Sequence, residues 1–478
     1  MEIQTGALII VLAYMVGMMI VGYVVGKINI KGSADYLVAG RRMGLFMVAF
    51  SLSANNIGGG STTGLAQKAF GAWGISAIWY VLAASLAMIP LAYFAPKIRK
   101  TMAVTIPEVV GRRFGKLSSN FTAVLSVLSL FCLTSSQIGA SGAVINALIP
   151  SIPLNVCLLL AGFVTIFYTT FGGMIADQVS DLIQFGIILV GLAIATPIVL
   201  KYAGGWQAIS AALPGEKLNM TQIGWASIIG YFFNYFCTFL CGPEMVSRFE
   251  TCKDEKTAVR ASFLCAILMA AMSIFPTLLG LAAFALKDQL PGLAENGSNA
   301  MMVVTGAYAP GLISAAIICA TMSSADSNLL CMSTMIINDI YPGFGGKKKL
   351  EDKQVIFYTR LCNVIAALIA MGISMFGVSL VAMNTFAFGI RCAGPFAAYG
   401  LGLAVPKATK NSGMISIFTG TIAFVVWQLL SNGGTLWFMM PVVFGSLVSV
   451  ITFYVVNLIE WKRGVPAAPS AYTVEEAK

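Results

Sequence analysis

About thirteen apolar stretches, each of the roughly 20 residues that a helix needs to cross a hydrocarbon core, run through this chain between Thr5 and Leu458. They fall near 4–27, 44–70, 72–97, 118–149, 152–171, 174–200, 221–243, 257–286, 309–340, 355–376, 380–405, 411–431 and 435–458. Only 10% of the 478 residues are charged, against the roughly 25% of a soluble domain, and mean hydropathy is +0.86. The expected fold class is therefore an all-α integral membrane protein in the lipid bilayer. The polar stretches between spans are too short to bury cores of their own.

A net charge of +10 would ordinarily suggest nucleic acid or an acidic partner. Here the basic residues are scattered through short loops: Lys27, Arg41 and Arg42, then Lys97, Arg99, Lys100, Arg112 and Arg113, later Arg248, Lys253, Lys347 to Lys349, Lys407, Lys410, Lys462 and Arg463. All share one side if each apolar stretch crosses once. That pattern reports orientation by the positive-inside rule, with the amino terminus outside and the carboxyl terminus in the cytoplasm of a plasma-membrane protein, and no nucleic-acid partner. The first stretch lacks a basic leader and a small-residue cleavage site, so it reads as a retained span.

Two spans carry signals that work against a continuous helix. The first holds Ser53-Ala-Asn-Asn-Ile-Gly-Gly-Gly-Ser-Thr-Thr-Gly64. Each interior glycine costs about 1 kcal/mol relative to alanine, and unwound backbone is tolerated at membrane depth only where it lines a cavity or binds something. The second candidate break lies near Gly242-Pro243 or higher in the same span, five spans further on, which fits an inverted repeat of five helices each.

The chemistry-bearing cluster is Ala320-Thr-Met-Ser-Ser-Ala-Asp-Ser327, inside an apolar span. An intramembrane Asp326 needs an ion or an opposite charge beside it. Ala320, Ser323 and Ser324 share one helical face. The serines suit a bare cation, or they bond back to carbonyls one turn earlier and let helices pack closely. The ten cysteines lack ligand-type spacing and read as packing residues, and without histidine the commonest metal ligand is missing.

Several segments in order resemble the sodium:solute symporter family with its LeuT-type core: Asp35-Tyr-Leu-Val-Ala-Gly-Arg-Arg42, Ile106-Pro-Glu108, Phe171-Gly-Gly-Met174 with Asp181 and Gln184, Val246-Ser-Arg248, Met322-Ser-Ser-Ala-Asp-Ser-Asn-Leu-Leu330 and Asp339-Ile-Tyr341. The resemblance covers about residues 5 to 460. It implies an extra span and loop at 1–43, core repeat one at 44–200, core repeat two at 201–405, two further spans at 406–460, and a cytoplasmic tail at 461–478 whose composition reads as disordered.

The resemblance also implies a sodium site made by the carbonyls of Ala54 and Ile57 with Ala320, Ser323 and Ser324. Oxygen ligands of that kind suit a hard cation. Asp181 matches a position that in some relatives binds a second sodium with hydroxyls of the eighth core helix, where this chain has Asp326 and Ser327. Asp181 and Asp326 unpaired would repel, so a positive charge belongs between them: a second sodium, or Arg391 as counter-ion to Asp326 or to Asp177, one turn from Asp181. Arg391 has a rival role on an anionic substrate.

The solute belongs in the midplane cavity beside the broken helix, with Asn55, Asn56, Gly58, Gly59, Gln137, Ser141, Asn234, Tyr235 and Thr238 as candidate contacts. Tyr235 equally fits plain packing, and Lys68 equally fits snorkelling to the interface. The expected activity is sodium-driven uptake of a small organic solute by alternating access, an amino acid or short carboxylate first, and not an enzymatic reaction. The rivals are proton coupling through Asp181 and Asp326, and a transporter-like sensor or channel. No sequence feature bears on oligomeric state.

Overall fold

The computed structural model describes residues 5–472 apart from 150, 309–311, 344–349, 377–379, 433 and 438. The tail expected to be disordered over 461–478 is instead packed in its described part, with the Ala468 N–H donating to Ala408 O at 2.7 Å and the Tyr472 hydroxyl to Leu403 O at 3.0 Å, and its residues beyond 472 lie outside the described residues. Fourteen helical segments carry the architecture: α1 Thr5–Asn29, α2 Leu45–Asn56, α3 Thr63–Phe70, α4 Trp79–Lys100, α5 Lys116–Leu148, α6 Leu154–Tyr202, α7 Trp225–Leu240, α8 Pro243–Thr251, α9 Glu255–Ala285, α10 Leu312–Met335, α11 Asp352–Met375, α12 Leu380–Cys392, α13 Lys410–Leu430 and α14 Pro441–Lys462. Among the described residues, eight helices are long and apolar enough to cross a membrane.

One of the eight, α6, has 49 residues, roughly 74 Å of helix at 1.5 Å per residue, more than twice a hydrocarbon core. It is two spans joined at Gly173, whose φ of 56° and ψ of −165° interrupt the helix. Only glycine adopts that conformation readily, and a Cβ at 173 would stand 2.7 Å from the Tyr36 ring. The separate spans expected at 152–171 and 174–200 meet here.

The two expected breaks are visible in the backbone. Ile57 to Thr62 separate α2 from α3, and Cys241 and Gly242 separate α7 from α8. The loops hold more helix than their polarity suggested: Ser33–Val38, Ile106–Phe114, Gly205–Ala212 and Ala300–Tyr308. Ile106–Phe114 starts where the Thr105 hydroxyl accepts from the Glu108 N–H, an N-cap of the usual kind.

The polarity of the bundle suits lipid. Phe163, Ile267, Leu368 and Leu429 are exposed, while Ser51, Thr122, Ser129, Asp181, Arg248, Ser323 and Asp326 are fully buried. The central helix α10 packs on α5 and α6, α1 packs on α6, and α2 is held among α6, α9 and α10. Small residues permit these approaches: a Cβ at Gly22 of α1 would lie 2.6 Å from the Cβ of Tyr168.

The end bearing the basic loops is closed. Met43 exchanges backbone bonds of 3.0 Å with Thr251 and Lys253, and Arg41 donates to the carbonyls of Met102 (2.8 Å), Ala103 (2.9 Å) and Glu250 (3.3 Å). This latch ties the start of α2 to the ends of α4 and α8.

Candidate functional site

The break after α2 frees carbonyls that the helix would otherwise satisfy, and nearby hydroxyls take some of them up. Ser61 Oγ donates to Asn56 O at 3.0 Å, Thr62 Oγ1 to Gly58 O at 3.1 Å, and Thr63 Oγ1 to Gly59 O at 2.9 Å. The carbonyls of Ala54 and Asn55 instead face α10. Ser323 Oγ lies 3.1 Å from both Ala54 O and Ala320 O, and Ser324 Oγ lies 3.1 Å from Asn55 O and 3.3 Å from Ala320 O.

Each serine hydroxyl has lone pairs to offer once its proton turns aside. Two hydroxyls and the converging carbonyls form a small, buried oxygen cluster without a carboxylate, a donor set suited to a monovalent hard cation. The structure thus brings Ala54, Ala320, Ser323 and Ser324 together. Ile57 occupies the turn itself, its N–H donating to Ser53 O and Ala54 O, and Asn55 supplies a carbonyl that the sequence reading had not used.

Behind Ser323, one turn along α10, lies a charged cluster centred on Arg248. Its Nη2 is 2.6 Å from Asp177 Oδ2 and 3.0 Å from Asp181 Oδ2 and also donates to Ser327 Oγ. Its Nε donates to Ser51 Oγ at 3.1 Å, and Ser51 in turn donates to Asp181. Ser327 Oγ reaches Asp177 Oδ1 at 3.1 Å, and Asp326 Oδ1 accepts the Ser327 N–H at 2.7 Å. Asp181 Oδ1 and Asp326 Oδ2 are buried without a hydrogen-bond partner.

This corrects the expected pairing. Arg391 is the counter-ion of neither Asp326 nor Asp177; it binds Glu244, Nη1 to Oε2 and Nη2 to Oε1, both at 2.6 Å. Arg248 meets the aspartates because it follows Glu244 by one helical turn on α8, a segment buried along its whole length. Glu244 and Arg248 were the missed residues. Arg248, expected in a basic loop after the span at 221–243, is instead fully buried in α8; two opposite charges four apart directly after Gly242-Pro243 were the available signal.

A polar cavity lies beside the oxygen cluster. Asn55, Asn56, Gly58, Gln137 and Tyr235 line it, together with Ser324 of the cluster, Asn328, Asn384, Phe388 and the Glu244–Arg391 pair. Gly58 sits between the two regions, since a Cβ there would be 3.4 Å from both Gln137 Oε1 and Ser324 Oγ. Aromatic rings form the opposing wall: Tyr80 meets Tyr235 edge-on at 5.9 Å, and Tyr235 meets Phe239 at 5.5 Å.

Four expected contacts lie elsewhere. Gly59 faces Thr321, and Ser141 Oγ is 2.7 Å from Thr321 Oγ1 in the α5–α10 contact. Thr238 is buried in α7 beside the cavity wall. Asn234 lines a larger vestibule that shares Gly60, Tyr80, Tyr235, Asn384 and Phe388 with the cavity and leads away from the basic loops. Lys68 stands in that vestibule with Nζ 3.9 Å from the Trp73 ring and 5.3 Å from the Tyr80 ring, a cation–π seat rather than a free charge.

Comparison with known proteins bears on the fold and the family. The chain is 26% identical over 484 aligned positions to sodium/proline symporters of Staphylococcus aureus strains bovine RF122 / ET3-1 and JH9, covering 95% of this chain and 93% of each relative. Its fold matches a substrate-bound, outward-open Na+-coupled sialic acid symporter with a TM-score of 0.83 at 21% identity, covering 97% of this chain and 99% of that one. It also matches Mhp1, a nucleobase-cation-symport-1 family transporter in a closed conformation, at a TM-score of 0.59 and 15% identity, covering 94% and 98%. The fold is the LeuT type, and the protein is a multi-pass membrane transporter and not an enzyme. The sodium:solute symporter family model matches residues 36–420, and the chain belongs to that family.

Proposed function

We propose that this protein imports a small organic solute by coupling it to inward sodium flow, with Ala54, Ile57, Ala320, Ser323 and Ser324 holding the ion. The observation that carries the reading is the meeting of Ser323 and Ser324 hydroxyls with the Ala54 and Asn55 carbonyls at the break, next to a polar cavity. A cation there bridges α2 to α10, so it favours whichever conformation brings the two together. Substrate bound at Asn55, Asn56 and Gly58 stabilises the same arrangement, and linkage makes each ligand tighten the other.

One sodium entering down about 100 mV releases roughly 2.3 kcal/mol, and about 1.4 kcal/mol is a tenfold accumulation. A single ion therefore suffices to concentrate solute. Of the two solute classes expected from the sequence, an amino acid or a short organic acid, the proline symporters among the relatives favour the amino acid. In this reading 44–200 and 201–405 are the two inverted repeats, the protein lies in the plasma membrane, and the basic, latched end faces the cytoplasm. A second cation among Asp181, Asp326 and Ser327 is part of the proposal, because Asp181 Oδ1 and Asp326 Oδ2 are buried and unpartnered.

The test is thermal stability of the purified protein against amino acids, organic acids, sugars and vitamins, each in sodium and in potassium. A solute that stabilises only in sodium, with the effect lost in Ser324→Ala, is the expected result. Stabilisation indifferent to sodium overturns the coupling.

A further inference from the structure

We propose that the solute carried through this cavity has no net charge: it is either uncharged or zwitterionic, and simple organic anions are excluded by the Glu244–Arg391 pair. The inference rests on the reading of this cavity as the solute site, but not on sodium as the driving ion.

Of the described residues lining the inner cavity, Arg391 is the one cation and Glu244 the one anion, and each is the other's bidentate partner. Arg391 is 1% exposed and Glu244 6%. The pair is held in place by its surroundings, although Arg391 Nε is left without a partner. Glu244 lies in the first turn of α8, where the helix N-terminus favours a negative charge. Arg391 stacks 5.1 Å from the Phe388 ring. At the break, Gly242 leaves the needed room, since a Cβ there would be 2.9 Å from Glu244 Oε1 and 3.2 Å from Arg391 Nη2.

Arg391 Nε is buried without a partner, so an incoming carboxylate need not displace Glu244, but without a cation of its own it would have to share the one guanidinium with Glu244. Two buried carboxylates would then stand against a single cation, which leaves one negative charge unbalanced. An uncharged or zwitterionic solute meets the pair as it stands.

The neutral groups of the cavity point the same way. Five carboxamides line the cavity, Asn55, Asn56, Gln137, Asn328 and Asn384, of which Asn56 Nδ2 already donates to Leu52 O and Asn384 Oδ1 already accepts from Ser136 Oγ. Gln137 Oε1 is buried without any partner. It calls for an N–H or O–H donor on the solute, which an ammonium or hydroxyl supplies and a bare carboxylate does not.

The experiment compares solutes that share a skeleton and differ in net charge: L-alanine with L-lactate, L-proline with tetrahydrofuran-2-carboxylate, and D-glucose with D-glucuronate. Binding to the purified full-length protein is read by ligand-induced thermal stabilisation in sodium and in potassium. For any skeleton that binds, the net-neutral member is expected to bind about tenfold or more tightly than its anionic twin. An anionic twin that binds equally or better overturns the proposal.

Glu244→Gln frees Arg391 for an incoming carboxylate, so in that variant the preference should narrow to below about threefold or reverse. A folded variant that keeps the full wild-type preference overturns the role given to the pair. The wild-type comparison decides the charge question even where the variant does not fold. Solute binding that is equally tight in sodium and in potassium, with the charge preference kept, removes sodium coupling and leaves this inference standing.

Discussion

Arg248 lies between Asp177 and Asp181, with Nη2 2.6 Å from one carboxylate and 3.0 Å from the other, and none of the three side chains is more than 1% exposed. A single guanidinium thus ties α8 to the second half of α6 at two points one helical turn apart. Removing it leaves two buried carboxylates facing one another. Arg248→Gln should lower stability by about 3–5 kcal/mol, the cost of breaking a buried pair from one side. Thermal unfolding of the detergent-solubilised protein reads the loss, and adding Asp177→Asn and Asp181→Asn to the same chain should recover much of it. If the triple variant is no more stable than Arg248→Gln, the arginine is not there to neutralise the aspartates.

The serine pair offers a separable effect. Ser323→Ala or Ser324→Ala removes one hydroxyl from the oxygen cluster while the carbonyls of Ala54, Asn55 and Ala320 remain. A bond to a charged group is worth about 1.5–3 kcal/mol, so the sodium concentration for half-maximal stabilisation or uptake should rise about tenfold to a hundredfold. The melting temperature without sodium should barely change. Equal loss in the presence and absence of sodium would mean that the hydroxyls act only in helix packing.

Residues close together in sequence were the legible part of this site. Three glycines before Ser61 announced the break in α2, and Ala320, Ser323 and Ser324 announced a polar face on α10, because both signals depend on spacing within one helix. The charge pairs were not legible in the same way. Arg391 and Glu244 are 147 positions apart, and every buried acid in the chain was an equally good partner until helix placement decided among them. Ser141 failed as a solute contact for a related reason: it lies near Gln137 on α5, but its hydroxyl turns to Thr321. The short helix Ile106–Phe114 is different again, since Thr105 followed three residues later by Glu108 is a cap signal present in the sequence and passed over there.

Gly173 is the hinge on which α6 becomes two spans. Gly173→Ala forces a side chain into a conformation reserved for glycine, at about 1–3 kcal/mol, and sets its Cβ 2.7 Å from the Tyr36 ring and 2.9 Å from the Tyr36 carbonyl. A drop in melting temperature and in folded yield is the expected outcome. Gly186 is the control within the same helix, because a Cβ there meets nothing within 4 Å. Gly186→Ala should be neutral or slightly stabilising, and equal losses at the two positions would remove the hinge argument.

Opening toward the basic loops requires the latch at Arg41 to part. Arg41 ties the start of α2 to Met102, Ala103 and Glu250, Met43 bridges to Thr251 and Lys253, and Arg99 Nε donates to the Cys252 carbonyl at 2.5 Å. With the latch closed, Cys252 is 0% exposed. Arg41→Ala removes three side-chain bonds from the closed state and none from an open one, so it shifts the balance toward opening. A shift of about 1–3 kcal/mol corresponds to a roughly fivefold to 150-fold change in population, and the rate of Cys252 alkylation, followed by peptide mass spectrometry, should rise accordingly. The neighbouring Arg42→Ala supplies the comparison, because Arg42 is 54% exposed and pairs with Asp35 at 3.4 Å, an exposed contact worth about 0–1 kcal/mol. Cys252 should stay protected in that variant. Faster alkylation in both, or in neither, would show that the Arg41 contacts do not hold this end shut.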